Sequence, residues 1–291
     1  MSRPGGVAEL TDALRVDGYL ADRGLSTATY VALALDRPLL LEGEVGTGKT
    51  EIAKALSRVL GRRLIRLQCY EGIDTNQALY EWDYARQLLQ IRALSDRSLD
   101  DEAAVDALFG PKFLLERPLL DAVRAGDRAV LLVDEVDRAD DEFEAFLLEL
   151  LSDFQITIPE VGTIVAERPP LVVLTSNRTR ELHDALKRRC LYHWVDHPDA
   201  ERELEIVLVR VPGVAESLAR KVVTAVQRLR QLDLAKPPGV AETIDWVRTL
   251  DVVGADDLDP QTIEDTLGAV VKEHDDLDVV RAHVHELAPG G

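Results

Sequence analysis

Short apolar runs at residues 38–41, 64–67, 129–133 and 171–175 punctuate the first two thirds of the chain. Nearly continuous apolar character of this length, with Arg66 the one charged residue in these runs, predicts strands buried on both faces, as in a parallel sheet, where alternation would predict a half-exposed one. Between the first two runs, residues 50–60 place Ile52, Leu56, Val59 and Leu60 on one helical face and stop at Gly61, a residue suited to a left-handed C-terminal cap. Strand, helix, strand is the order of an α/β fold, with a parallel sheet and helices on its two sides. From about His197 onward the strand pattern disappears, and helical periods follow at residues 198–211, 214–232, 240–250 and 260–271. Asp259 before Pro260 illustrates the start signals: an N-cap carboxylate, then a first helical residue whose missing N–H costs nothing. The acidic spacer 254–257 reads as a solvated loop, with a binding tail as the alternative. The expected organisation is an α/β domain over residues 1–196 and a small all-helical domain over residues 197–291, without internal repeats.

Composition narrows this picture. A length of 291 residues suits one or two domains, and 46% hydrophobic with only 5% aromatic residues suits a helix-rich α/β protein better than a β-sandwich. A net charge of −19 repels phosphate backbones, so general nucleic-acid binding is disfavoured. Two local basic spots, Arg62, Arg63 and Arg66, and Lys187, Arg188 and Arg189, are each short enough to serve one phosphate group or a subunit contact. Cys69 and Cys190 lie in apolar stretches without a CxxC or Cys/His cluster, which fits a reduced, cytoplasmic compartment. The opening residues lack the apolar core of a signal peptide, and no apolar run approaches the roughly 18 residues of a membrane span, so a soluble protein is expected. His283 and His285 have no third ligand nearby and read as solvated helix residues rather than a metal pair.

The densest chemical signal is Gly43-Glu44-Val45-Gly46-Thr47-Gly48-Lys49-Thr50, a GxxxxGK[ST] loop between a predicted strand and an amphipathic helix. Glycines let the backbone turn so that amide groups and the helix dipole face an anion. Lys49 can reach outer phosphates, and Thr50 can ligate magnesium. Downstream, the apolar run 130–133 ends in Asp134 and Glu135, at the edge where a parallel sheet binds ligand. Asp134 is the candidate magnesium carboxylate, and Glu135 the candidate base for an attacking water. The run 171–175 ends in Ser176 and Asn177, an amide that can donate and accept at once where a terminal phosphate and its water would sit. A plain turn residue is the bland alternative for Asn177.

The order GEVGTGKT, VLLVDEVDR, LVVLTSN and DALKRRC resembles the AAA+ superfamily of ATPases, and within it the MoxR family. The segments LQCYEGID, ALYEWDYARQLLQIR and KPPGVAETIDW are similar to those of its CoxD-like branch, and the resemblance covers residues 24–250. It implies an ATP-binding P-loop α/β domain followed by a helical lid, with Gly43 to Thr50 as Walker A, Asp134 and Glu135 as Walker B and Asn177 as sensor 1. It implies ATP and magnesium as ligands, held in part by Thr50 and Asp134. Arg189, with Arg188 as fallback, corresponds to the arginine finger that acts on a neighbouring subunit's ATP. By itself, a basic cap on a helix C-terminus would explain Lys187 to Arg189 as well. Similar proteins form homo-oligomeric rings, hexameric by this resemblance, and serve a von Willebrand factor A domain protein and a client enzyme. The CoxD-like branch is linked to maturation of a molybdenum hydroxylase, and CbbQ-like activators and gas-vesicle assembly factors are alternatives in the same family.

The chain departs from the family pattern where many relatives carry a sensor 2 arginine, because residues 239–243 contain none and Arg248 lies a turn or more away. Residues 155–165, a hairpin around 159–162, and residues 80–88, with Tyr80, Trp82 and Tyr84, resemble family insertions near the ring's pore. The aromatic cluster is a candidate substrate contact, with apolar packing the commoner fate. Against the remodelling ATPase stand a non-hydrolysing scaffold, which has no use for Glu135, Asn177 and Arg189, and a DNA loader, which the net charge opposes.

Overall fold

In the computed structural model, residues 3–94, 108 and 110–288 are described. Helices α1 (Val7–Val16) and α2 (Arg23–Leu35) precede β1 (Leu39–Gly43), α3 (Lys49–Leu60) and β2 (Arg63–Gln68). Then come α4 (Thr75–Leu79), β3 (Tyr80–Trp82), α5 (Tyr84–Leu94), β4 (Leu114–Glu116), α6 (Pro118–Ala125) and β5 (Ala129–Asp134). Helix α7 (Asp141–Asp153) leads to β6 (Gln155–Ile158), β7 (Gly162–Val165), β8 (Leu171–Ser176), α8 (Asp184–Arg189) and β9 (Leu191–Val195). The remainder is helical: α9 (Ala200–Arg210), α10 (Glu216–Leu229), α11 (Val240–Val253), α12 (Pro260–Thr266), α13 (His274–Ala282) and α14 (Val284–Leu287).

Five strands form one sheet in the order β2, β5, β8, β1, β9, and the pairs β2 with β5, β5 with β8 and β1 with β8 are parallel. Every residue of the three inner strands β1, β5 and β8 is buried, as the apolar runs require. Strand β2 departs from that expectation. It lies at the sheet's edge, so Arg63 and Arg66 are exposed while Ile65 and Leu67 remain buried. The opposite edge, β9, has no continuous apolar run. Tyr192, His193 and Trp194 sit on it at intermediate or high exposure, which an edge position tolerates. Because β1, β5 and β8 run parallel, Glu42, Asp134 and Asn177 all come at the carboxyl edge.

Two small ribbons accompany the sheet. Strands β3 and β4 pair antiparallel, Trp82 opposite Leu114, and β6 and β7 form the expected hairpin, Ile158 opposite Gly162. The cap signals hold at Gly61, whose φ is 62°, and at Asp259, whose carboxylate accepts from the Thr262 amide at 2.9 Å. That amide bond holds the Asp259 carboxyl below its ordinary value. The helix after Pro260 is shorter than its apolar period, ending at Thr266 and continuing as a 3-10 turn over Leu267–Ala269.

The chain divides into two compact units, one of Met1–Thr11, Asp22–Glu42 and Ala53–His193, the other of Asp12–Ala21, Gly43–Ile52 and Trp194–Gly291. The glycine loop and the start of α3 therefore group with the helical remainder. In the second unit, helices pack around the fully buried Trp246, whose indole N–H donates to Thr266 Oγ1 at 2.8 Å. The same unit buries an ion pair. Glu203, with no exposed surface, accepts both Nη atoms of Arg230 at 2.7 Å, the Thr243 hydroxyl at 2.6 Å and the Gln227 amide at 2.8 Å. Four donors saturate the carboxylate, which is the condition under which a buried charge is tolerated. Arg230→Met should destabilise the protein by about 3–5 kcal/mol in urea unfolding, because it strands a buried charge. Adding Glu203→Gln should return most of that loss, and an undiminished loss in the double variant would assign it to packing instead.

Candidate active site

The loop after β1 is shaped by glycines that nothing larger could replace. A Cβ on Gly43 would lie 2.2 Å from the Val195 carbonyl oxygen, and Gly46 and Gly48 adopt φ values of 81° and 91°. Lys49, only 5% exposed, folds back over the loop and donates to the carbonyls of Gly43 at 2.7 Å and Glu44 at 2.5 Å. Thr47 Oγ1 caps the Glu44 carbonyl as well, at 2.9 Å. Carbonyls on the inner side of the curl are thus satisfied by the chain's own cation. A left-handed glycine turn leading directly into α3, with Lys49 and Thr50 on the first helical turn, fits the phosphates of a nucleotide.

Within the same unit, the loop is covered by the start of α11. The Val240 amide donates to the Gly46 carbonyl at 3.0 Å, and Gly239 lies so near that an added Cβ would be 2.5 Å from Gly46 Cα. Glu242 reaches back to the helix start and accepts from the Gly239 amide at 3.0 Å. Two contacts hold Gly239 there: Arg230 Nε donates to the Pro238 carbonyl at 2.7 Å, and the Thr243 backbone amide to the Gly239 carbonyl at 3.2 Å. The stretch that lacks an arginine therefore touches the loop through backbone, and Arg248 is exposed, donating to the Arg210 carbonyl at 3.4 Å. His197 reaches Glu44 at 3.0 Å, and its pKa is lowered by burial and next by the nearby Arg230.

The other unit carries the acids. Glu135 has φ 55° and ψ 51°, a left-handed turn that opens the 3-10 turn Val136–Arg138 and sends the two adjacent carboxylates to different partners. Asp134, 3% exposed, accepts from Thr175 Oγ1 at 2.6 Å on Oδ1, and from Arg66 Nη2 at 2.6 Å and Nε at 3.1 Å on Oδ2. Glu135 Oε2 accepts from Gln68 Nε2 at 3.1 Å and pairs with Arg138 Nε at 2.9 Å. Thr175 Oγ1 also accepts the Glu135 amide at 2.9 Å, so one hydroxyl sets the geometry of both acids. A buried carboxylate at a strand end, with its oxygens at hydrogen-bond reach of a cation, is chemically suited to a divalent metal.

Asn177 is half-buried and held by its backbone. Asp137, 2% exposed, accepts on Oδ2 from the amides of Asn177 at 3.2 Å and Thr179 at 2.8 Å, and from Thr179 Oγ1 at 2.7 Å. Asp137 went unnoticed in the sequence, where it is simply the next acid after the Asp134-Glu135 pair. The Cys69 amide donates to the Asp134 carbonyl at 2.9 Å, and its thiol is pushed up to about 12, first by burial and then by the acids around it. It stays protonated and unreactive at neutral pH.

Arg188 and Arg189 are exposed at the end of α8 and make no ion pair among the described residues. They form the basic last turn of α8, and the carbonyls of Arg188, Arg189 and Cys190 accept from the Arg37 guanidinium at 2.8, 3.1 and 3.3 Å. Of the aromatic cluster, Tyr80 and Trp82 pack edge to face at 6.2 Å with Trp82 buried, and Tyr84 is exposed.

Residues 38–190, more than half of the chain, match the AAA domain, dynein-related subfamily. The chain belongs to this family. An AAA domain is a P-loop module whose ATPase activity depends on nucleotide, and the glycine loop and the Asp134-Glu135 strand lie inside the matched span. Similar chains include an uncharacterised protein of Staphylococcus saprophyticus, 22% identical over 225 residues that cover 75% of this chain and 77% of the relative. Another, from Staphylococcus aureus, is 26% identical over 174 residues, 57% of this chain and 58% of its own. Two RuvB variants from Thermotoga maritima share the fold at a TM-score of 0.50 and 18% identity, covering 91% of this chain and 72% of theirs. No helix of the described residues is long and apolar enough to cross a membrane.

Gly239 offers a clean test of the cover on the loop, because its φ of −85° is open to alanine and only the collision with Gly46 opposes a side chain. Gly239→Ala should weaken retention of a fluorescent ATP analogue about tenfold, within the strain of about 1–3 kcal/mol typical of overpacking. Hydrogen exchange at the Val240 amide should accelerate with it, and unchanged exchange would show that this turn does not rest on the loop.

Proposed function

We propose that this AAA domain hydrolyses ATP as a member of a head-to-tail ring of MoxR type, a hexamer in the cytoplasm, and remodels or matures a partner protein. The observation that carries the hydrolytic part is the pair of adjacent acids held in different environments. Asp134 is buried with its oxygens on Thr175 and Arg66, and Glu135 is turned outward onto Gln68 and Arg138. In this reading the amides of Gly43 to Thr50 and the ammonium of Lys49 bind the phosphates. Thr50 and Asp134 are the residues that would hold magnesium, which would neutralise phosphate oxygens and the charge that develops on them. Glu135 orients a water and takes its proton, and Asn177, fixed by Asp137, hydrogen-bonds near the same water. Arg189 acts on the neighbouring copy's nucleotide, which its exposure supports. The start of α11 stands in for the absent sensor 2 arginine by backbone contact with the loop. The motifs shared with the CoxD-like branch support a von Willebrand factor A domain partner and a client enzyme.

Glu135→Gln should keep ATP-analogue affinity while phosphate release falls at least about a hundredfold, within the usual span for a positioned base. Unchanged turnover would move the role to another residue. The shared site has its own test. A finger is worth roughly 10³ to 10⁵ in rate, so Glu135→Gln and Arg189→Ala should each be nearly inactive alone. Mixed at random, about one interface in four combines an intact Glu135 with an intact Arg189 from its neighbour, and turnover should reappear. Subunit exchange without rescue would show that Arg189 does not act across an interface, and rescue by Arg188→Ala instead would transfer the role to Arg188.

A further inference from the structure

Arg66 occupies one of the two oxygens of the carboxylate that the reading above assigns to a metal. It stands on the edge strand β2, opposite Leu132 of β5, and from there its guanidinium reaches forward to Asp134 Oδ2 through Nη2 at 2.6 Å and Nε at 3.1 Å. The same Nη2 donates to the carbonyl oxygen of the Gln68 side chain, which keeps that amide turned with its N–H toward Glu135. Asp134 Oδ1 is taken by the Thr175 hydroxyl at 2.6 Å. The carboxylate side chain is 4% exposed and that of Arg66 48%, so the acid is sunk in the sheet while the cation sits at the solvent border, where it can leave. A second cation arriving at this carboxylate has to compete with the guanidinium for it.

We propose that Arg66 is a built-in counterion that occupies the Asp134 carboxylate and is displaced from it when a divalent cation enters. The inference rests on the reading of Asp134 as a metal carboxylate. A guanidinium N–H at 2.6 Å and a magnesium ion at about 2.0–2.1 Å cannot share one lone-pair direction on Oδ2. Removing the guanidinium therefore raises affinity for the metal. An opposite charge at this range changes the binding of a proton to a carboxylate by about 10- to 1000-fold, and a divalent ion competing for the same oxygen feels at least as much. Arg66 thereby sets how much free magnesium the site requires and keeps Asp134 neutralised until then.

The experiment uses the full chain with Arg66→Met, which keeps the apolar stem and drops the charge, and Arg66→Lys, which keeps the charge and loses the fork. Mn²⁺ is titrated into each without nucleotide, read by electron paramagnetic resonance, and melting temperatures are taken with and without Mg²⁺. Arg66→Met should bind Mn²⁺ at least about tenfold more tightly than the unaltered protein, with Arg66→Lys between them. Its melting temperature should be lower without metal and recover with Mg²⁺ by a larger shift than the unaltered protein shows. Equal or weaker Mn²⁺ binding in Arg66→Met overturns the proposal, and so does a lowered melting temperature that Mg²⁺ leaves alone. Should Arg66→Met not fold, tighter Mn²⁺ binding by Arg66→Lys supports the proposal and unchanged binding overturns it. Retention of a fluorescent ATP analogue by the unaltered protein is measured alongside. Its absence refutes the nucleotide reading, while the Mn²⁺ comparison still decides the role of Arg66.

Discussion

The charge on Asp134 is the constraint around which this sheet is arranged. Strand β5 is buried along its whole length because β2 and β8 flank it, so the acid at its end emerges in a place that water barely reaches. An unpaired carboxylate there would be costly, and its partners have to come from the strands next door. Strand β8 supplies the Thr175 hydroxyl, and β2 supplies Arg66. That second requirement accounts for the character of β2. A strand that must carry a guanidinium to its neighbour's end cannot be buried on both faces, and the edge of the sheet is the position that lets Arg66 keep one side in solvent.

The helical unit solves the same problem at Glu203 with a different result. Its four donors are all inside the protein, so nothing about it is exchangeable, and two of the residues that supply them reach onward. Arg230 holds the Pro238 carbonyl and the Thr243 amide the Gly239 carbonyl, which fixes the turn before α11 where its backbone can lie on Gly46. Glycine is needed on both sides of that approach for different reasons. Gly46 needs its positive φ, whereas Gly239 has an ordinary extended conformation and is there for space alone. A saturated ion pair thus serves as a rigid bracket for a contact with the loop.

How much of this could be read from the residues follows from how far apart the interacting groups are in the chain. The inner strands announce themselves because burial on both faces forces unbroken apolar runs, and the glycine loop does because phosphate chemistry dictates residue types at fixed spacing. Strand β9 does not, since Tyr192, His193 and Trp194 at an edge follow neither the apolar run nor the alternation. The three-residue strands β3 and β4 are too short to show any period. At the site, Asp134 and Glu135 were legible from their place after an apolar strand. Arg66, visible only as one of several basic residues, gains its role from the strand register that sets Gln68 beside Asp134. Gly239 and Asp137 are likewise joined to Gly46 and Asn177 only by the fold.

The distribution of positive charge sharpens the meaning of Arg189. In a chain of net charge −19, cations are scarce, and those near the carboxyl edge are committed: Arg66 to Asp134, Arg138 to Glu135, Arg180 to the buried Glu144. Arg37 is spent on the carbonyls that end α8, a task that Arg188 and Arg189 could have performed themselves. Two exposed guanidiniums on a six-residue helix whose terminus is already satisfied have no structural duty there. On an acidic surface, such a spot is drawn toward negative charge on another molecule.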